Sequence, residues 1–124
     1  GEVKTAMLKM SALDQKFLDK VISIIEHNMK KGIDVDINTI AREVGLSKSS
    51  FYRKIKLITD LSPVEFVKNI RLKHAYELLE GVETSLDAIA YSTGFSGAKY
   101  LSTCFKEQFG ITPTEFLRKR GLVD

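Results

Sequence analysis

One sequence pattern occurs twice in this chain: INTIAREVGLSKSSFYRKIK at residues 37–56 and LDAIAYSTGFSGAKYLSTCFK at residues 86–106. The second copy lies 49 residues after the first, and the matched pairs include Ile40 with Ile89, Ala41 with Ala90, Gly45 with Gly94 and Ser47 with Ser96. After one extra residue the offset becomes 50, and further pairs are Phe51 with Leu101, Ile55 with Phe105 and Pro63 with Pro113. We therefore expect two copies of one structural unit.

Each copy predicts two helices joined by a tight turn, because apolar residues recur at intervals of three and four on both sides of a glycine. In the first copy Gly45 ends a helix and permits the positive φ of such a turn. Leu46 fills the angle between the helices, and Ser47 caps the second helix. The second copy has Gly94, Phe95 and Ser96 at these places. This is helix-turn-helix geometry, in which the second helix enters the DNA major groove.

The rest of the chain also carries helical signals and no alternating strand pattern. Apolar periodicity from Asp14 onward, ending at Lys30-Lys31-Gly32, predicts a first helix. Ser62-Pro63 predicts the start of a long helix, and Thr112-Pro113 predicts the start of the last one. We expect an all-α fold of about seven helices, in which a long linker helix joins two homeodomain-like helix-turn-helix subdomains.

The domain organisation follows from these helices. Gly1 is not an initiating residue, so residues 1–12 are expected to be a linker or vector remnant, followed by one domain at 13–124. The expected parts of that domain are a first unit at about 14–61, a linker helix at about 63–80 and a second unit at about 82–120. A helix of that length spans ~27 Å at ~1.5 Å per residue. With the flanking units added to this length, the two second helices are expected about one DNA turn, ~34 Å, apart.

The positive charge of the chain is concentrated in its centre. The 124 residues carry a net charge of +3. Residues 47–75 have seven basic and two acidic side chains, a net charge of +5, whereas the flanking segments have net charges of zero and −2. Such a basic segment is suited to binding a polyanion, although by itself a basic segment is more often a solvated face.

The sequence offers no support for an enzyme, a metal site or a membrane span. Cys104 is the only cysteine and has no histidine nearby, so we expect a packing role and a reducing compartment. His27 and His74 lie on different predicted helices without metal-ligand spacing, so neither a metal nor a cofactor is expected. No apolar run approaches the ~18 residues that a membrane span needs, and the pattern of a secretory signal is not seen, so we expect neither. We expect a cytoplasmic, non-catalytic chain without membrane contact.

The outward positions of the two second helices are the candidate DNA contacts. Arg53 suits a bidentate pair with the O6 and N7 acceptors of guanine. The predicted base contacts are Lys48, Ser49, Tyr52 and Arg53 in the first copy, and Ala98, Lys99, Ser102 and Thr103 in the second. The predicted phosphate contacts are Ser47, Lys56, Lys68, Arg71, Ser96 and Lys106.

The stretch from about Phe17 to Arg120 resembles the DNA-binding domain of AraC/XylS-type transcription regulators. The motifs of the second copy that carry this resemblance are Ile89-Ala90, Gly94-Phe95-Ser96, Tyr100-Leu101, Phe105-Lys106, Phe109-Gly110 and Thr112-Pro113 before Phe116. The first half, SSFYRKIK at residues 49–56 followed by Leu61-Ser62-Pro63 and Phe66, is similar to the C-terminal output domains of hybrid two-component proteins. This family commonly has arginine where Thr103 stands, so we expect the first copy to supply most base discrimination.

The resemblance implies sequence-specific binding to double-stranded promoter DNA and transcription regulation in a bacterium, with RNA polymerase as a further candidate partner. It also implies that phosphorylation of a receiver domain controls homodimerisation of the intact protein, while the isolated domain is compatible with a monomer. Histidine kinase activity and a membrane anchor would belong to other domains of the parent.

Two other interpretations of the residues stay open. A helical protein-interaction module would need an exposed apolar groove, whereas the predicted core uses the apolar residues. An RNA-binding domain would need exposed aromatic platforms, for which the sequence offers Tyr52 and Tyr100.

Overall fold

The computed structural model describes residues 11–34, 36–81 and 85–121, which form seven α-helices and no strand. The helices are α1 (Ala12–Lys30), α2 (Ile37–Glu43), α3 (Lys48–Thr59), α4 (Pro63–Gly81), α5 (Leu86–Ser92), α6 (Ala98–Phe109) and α7 (Pro113–Lys119). The expected all-α fold is confirmed. The chain divides within α4, between Val67 and Lys68, into an N-terminal unit and a C-terminal unit. In the described part of the chain, no helix has the length and apolarity needed to cross a membrane.

Polar side chains cap most of the helices, and they belong to the residue types that favour the N-cap position. Four caps whose side chains accept a hydrogen bond from a backbone amide of the first turn are Asp36, Ser47, Ser85 and Thr112. Helix α1 begins earlier than predicted, at Ala12, because the Ser11 hydroxyl accepts from the amide of Asp14 at 3.0 Å and thereby caps it. The rest of the predicted linker, residues 1–10, lies outside the described residues.

The two helices that begin with proline share a reciprocal cap. The amide of Glu65 donates to the Ser62 hydroxyl at 3.2 Å, and the amide of Ser62 donates to the Glu65 carboxylate at 3.3 Å. Thr112 and Glu115 make the same exchange at 3.1 and 3.4 Å. Hydrogen bonds from Thr112 hold the pKa of Glu115 below its usual value. Both caps therefore help to fix where α4 and α7 begin.

The expected cap at Ser96 is wrong. Helix α6 begins at Ala98, and its N-cap is Gly97, which provides no side-chain hydrogen bond. The second copy has one residue more than the first between the turn and the helix, so Ser96 lies one position before the N-cap. From there its hydroxyl does not bond the first turn as the hydroxyl of Ser47 does.

The N-terminal unit is built around the inner faces of α1, α2 and α3. Its buried apolar residues are Leu18, Val21, Ile25, Ile40, Ala41, Phe51, Ile55, Phe66 and Val67. The ring of Phe17 meets that of Phe51 edge-on, with centroids 6.2 Å apart. Because Phe51 and Ile55, four residues apart on α3, occupy the core, the opposite face of α3 is left to solvent.

The C-terminal unit has a larger aromatic cluster. Its buried core consists of Leu72, Ala75, Leu79, Ile89, Ala90, Phe95, Leu101, Cys104, Phe105 and Phe116. Tyr76, which the periodicity does not mark, lies 5.0 Å from Phe116, 5.1 Å from Phe109 and 6.3 Å from Phe105 between ring centroids. Phe109, whose spacing of four residues from Phe105 favours an inward position, stays 38% exposed. Ring contacts thus anchor α6 and α7 to α4 in this unit.

Asp60 and Gly110 form a matched pair for testing backbone strain. They are the C-caps of α3 and α6, with left-handed φ values of 63° and 84°. This conformation disfavours a non-glycine residue by roughly 1–2 kcal/mol, and the Asp60 carboxylate also lies at the negative end of α3. We predict that Asp60→Gly raises the free energy of unfolding by about 0.5–1 kcal/mol, as measured by chemical denaturation.

The reverse change provides the control. A Cβ at Gly110 would meet nothing within 4 Å, so Gly110→Ala introduces backbone strain without a clash. It should lower the free energy of unfolding by about 1 kcal/mol. Changes of the same sign at both positions would contradict this account.

Candidate nucleic-acid interface

The turn between α2 and α3 fixes the direction of α3. Gly45 has φ +76°, and the amide of Leu46 donates back to the carbonyl oxygen of Ala41 at 2.9 Å. The Ser47 hydroxyl then accepts from the amide of Ser50 at 3.2 Å and starts the next helix. Backbone bonds and the Ser47 cap therefore set the angle between the two helices, so the outer side chains of α3 are not needed to form the turn.

Those outer side chains form one exposed polar face, as predicted. The residues that the structure places there are Lys48, Ser49, Tyr52, Arg53 and Lys56. The Tyr52 side chain is 50% exposed. The face thus combines three cations with a hydroxyl and a phenol, which are the groups that proteins use towards phosphates and base edges.

Two residues of this face have intramolecular partners. The Arg53 guanidinium donates to the Ser50 hydroxyl at 3.5 Å, a long bond that occupies one of its five N–H donors. The Lys56 ammonium donates to the carbonyl oxygen of Asp60 at 3.0 Å, where a cation also offsets the negative end of the helix. Both side chains remain exposed and keep donors for a ligand.

Lys54 has a role that was not predicted from the sequence. Although it belongs to the basic segment, its side chain is half-buried, and its ammonium lies 4.5 Å from the centroid of the Phe17 ring. The contact joins α1 to the flank of α3 by a cation–π interaction. The sequence contains one signal for this position, because Lys54 follows Phe51 by three residues and therefore lies beside the core face of α3.

The outer face of α6 is less basic. Lys99, Thr103 and Lys106 are exposed, whereas Ala98 and Ser102 are half-buried. The Thr103 hydroxyl donates to the carbonyl oxygen of Lys99 at 3.1 Å. Compared with α3, this helix presents shorter side chains and no arginine.

The turn before α6 repeats the geometry of the first turn. Gly94 has φ +84°, and the amide of Phe95 donates to the carbonyl oxygen of Ala90 at 2.9 Å. A Cβ at Gly94 would lie 3.0 Å from Nε of Arg71, so the half-buried Arg71 side chain packs against this turn. Lys68 is half-buried as well. These two predicted phosphate contacts are thus less exposed than those on α3 and α6.

Cys104 is buried in the core of the C-terminal unit, in line with a packing role. A hydrogen bond with Cys104 raises the pKa of the neighbouring Tyr100 phenol. The Tyr100 ring, 49% exposed, lies 5.8 Å from that of Phe95. Within residues 11–34, 36–81 and 85–121, no three histidine, cysteine or acidic side chains are grouped so as to hold a metal ion.

Comparison with known proteins identifies similar chains. The family model described as "Helix-turn-helix domain" matches residues 40–119. The crystal structure of a transcriptional regulator with an AraC-type DNA-binding domain from Chromobacterium violaceum superposes with a TM-score of 0.79 at 27% identity, covering 92% of this chain and 100% of that one. The DNA-binding domain of AdpA, a global transcriptional factor solved in complex with a target DNA, has a TM-score of 0.73 at 26% identity and covers 84% of this chain and 94% of that one.

A much longer protein also contains a similar segment. Histidine kinase P4 of Formosa agariphila is 36% identical over 109 residues, which cover 88% of this chain. The match spans only 8% of that protein.

A double-mutant cycle tests the contact between Lys54 and Phe17. We predict that Lys54→Ala lowers the free energy of unfolding, and that its coupling with Phe17→Leu is about 0.5–1 kcal/mol, because leucine keeps apolar volume but removes the ring face. Chemical denaturation of the two single variants and the double variant gives this coupling. Lys48→Ala is the control, since an exposed lysine on the same helix should change stability by less than about 0.5 kcal/mol. Strictly additive effects of the two substitutions would contradict the interaction.

Proposed function

Because the chain belongs to the AraC-type helix-turn-helix family, we propose that it binds double-stranded DNA sequence-specifically and regulates transcription. The observation that carries this proposal is the exposed face of α3, whose cations and hydroxyls follow a turn held by backbone bonds. The second helix of a helix-turn-helix motif presents such a face to the major groove. Two similar proteins, described above as an AraC-type regulator and as a transcriptional factor bound to DNA, support the same function.

We assign base contacts in the N-terminal unit to Lys48, Ser49, Tyr52 and Arg53. Arg53 contributes most, because its planar fork matches the two acceptors on the major-groove edge of guanine. The hydroxyl of Ser49 and the phenol of Tyr52 add hydrogen bonds or contacts to neighbouring bases. Ser47 and Lys56 lie towards the two ends of α3, so they bind the phosphates on either side of the contacted bases.

In the C-terminal unit we assign base contacts to Ala98, Lys99, Ser102 and Thr103, and phosphate contacts to Ser96 and Lys106. Lys68 and Arg71 of α4 are further phosphate contacts in this proposal. With Thr103 in place of an arginine, this unit contributes more to affinity than to base discrimination. We propose that the DNA-binding domain comprises residues 13–124, with the two helix-turn-helix units at about 14–61 and 82–120 and the helix at about 63–80 between them.

For the whole protein, we propose a hybrid two-component regulator of which this chain is the output domain. The similarity to part of a histidine kinase supports this context. In that arrangement, phosphorylation of a receiver domain promotes homodimerisation and so increases promoter occupancy, and RNA polymerase is the partner at the promoter. Because promoter DNA lies in the bacterial cytoplasm, this domain acts there, and kinase activity belongs to other parts of the parent.

Selection from random duplexes tests DNA binding directly. We predict an enriched site with two blocks about 10–10.5 base pairs apart, one for each helix-turn-helix unit. The affinity should fall steeply with salt, because bound cations release counterions from the phosphates. Salt-dependent binding without an enriched site would contradict the base contacts, and an absence of binding at low salt would favour a protein-interaction module.

Substitution of Arg53 separates base recognition from phosphate binding. We predict that Arg53→Ala removes about 1–3 kcal/mol of discrimination at one base pair of the first block, measured by competition between matched and mutated sites. Lys56→Ala is the phosphate control, since it should weaken binding to all sequences alike and reduce the salt slope by about one. If Arg53→Ala also weakens all sequences equally, Arg53 binds a phosphate.

A further inference from the structure

The two recognition helices, α3 and α6, differ at the position to which the proposed function assigns most of the base discrimination in α3. Arg53 and Thr103 occupy equivalent places, 50 residues apart in the repeat. Arginine offers several N–H donors to acceptors on a base edge. Threonine offers one hydroxyl and one methyl group, so the chemistry of the contact at this place must differ between the two units.

The structure shows which of these two groups is available. The Thr103 hydroxyl donates its proton to the carbonyl oxygen of Lys99, 3.1 Å away in the preceding turn of α6. A hydroxyl has one proton to donate. It therefore does not donate to the guanine or thymine oxygen acceptors while this bond persists, and the methyl group is the other substituent on this exposed side chain.

The neighbouring positions do not replace this contact with a stronger polar one. Ser102 and Ala98 are half-buried, and Lys99 carries a single flexible ammonium. Among the four assigned base contacts of α6, Thr103 is the exposed side chain that carries a methyl group. In the major groove, thymine is the base that presents an apolar group, its C5-methyl.

We propose that the C-terminal unit recognises a thymine through contact between the methyl group of Thr103 and the thymine C5-methyl group. This inference rests on the proposed function and specifies what its second block contains. The N-terminal unit then selects its site by hydrogen bonds from Arg53, whereas the C-terminal unit selects by apolar contact. Burial of one methyl group corresponds to about a fourfold difference in affinity, which is a weak but measurable preference.

Replacement of thymine by deoxyuridine tests this proposal, because it removes the C5-methyl group and leaves the pairing edge unchanged. Each thymine of the selected site is replaced in turn, and the affinity of the chain is measured at fixed salt. We expect one thymine in the second block at which the unaltered chain binds about fourfold more weakly to uracil.

Two variants of Thr103 identify the group responsible. Thr103→Val keeps a methyl group and removes the hydroxyl, so it should keep the same thymine preference. Thr103→Ser keeps the hydroxyl and removes the methyl group, so it should bind the thymine site about fourfold more weakly and no longer distinguish thymine from uracil. Arg53→Ala should lower the overall affinity and leave the thymine-to-uracil ratio unchanged.

The outcomes that overturn the inference differ from those that overturn the proposed function. Equal affinity for thymine and uracil at every position excludes the methyl contact, while the enriched site and the Arg53 effect still stand. A preference that survives in Thr103→Ser assigns the contact to another residue, and one that is lost in Thr103→Val assigns it to the hydroxyl. Failure to enrich any site contradicts the proposed function and, with it, this inference.

Discussion

Both helix-turn-helix units depend on one backbone arrangement, a glycine in the left-handed conformation followed by an amide that donates back to the end of the preceding helix. At Gly45 and Gly94, φ is +76° and +84°, and the returning bonds join Leu46 to Ala41 and Phe95 to Ala90. An L-residue with a side chain is strained in this conformation. The turn therefore fixes the angle at which each second helix leaves the first, and with it the direction of every side chain on the exposed face.

Different contacts hold each recognition helix in place behind this shared turn. In the N-terminal unit, α3 is packed through Phe51 and Ile55 and is joined to α1 by Lys54 over the ring of Phe17. In the C-terminal unit, α6 is packed through Leu101 and Phe105, and the ring of Tyr76, which lies on α4, contacts the ring of Phe105. The two units thus share the turn and the core positions of the second helix, and they differ in the additional contact that joins this helix to its neighbour.

The exposed faces diverge further than the cores. Helix α3 presents Arg53 and Tyr52, whereas α6 presents Thr103 and half-buried Ser102 at the corresponding positions. A surface residue is constrained by the ligand rather than by packing, so its replacement changes recognition without disturbing the fold. The proposed division of work follows from this difference, with hydrogen bonds dominant in one unit and cationic and apolar contacts in the other.

The sequence alone determines the helical fold, its repeat and the starts of most helices. Periodicity defines the core faces of α3 and α6, and Ser47, Ser85 and Thr112 mark helix starts, because capping and amphipathicity are local properties of a short segment. The sequence also predicts which residues of α3 are exposed. The sequence does not predict the start of α6 at Ala98, because the repeat shows that the second copy has one extra residue but not that this residue lies before the N-cap, Gly97.

Only the tertiary structure decides how polar side chains divide between internal and external partners. Lys54 and Lys56 are both cations on α3, but one lies over an aromatic ring from another helix and the other over the end of its own helix. Arg71 is placed against the turn at Gly94, and the Thr103 hydroxyl is directed to its own backbone. The partners of Lys54 and Arg71 lie on other segments of the fold, so sequence spacing does not identify them. Lys56 and Thr103 bond carbonyl oxygens four residues away, and the sequence leaves open whether such a local bond forms.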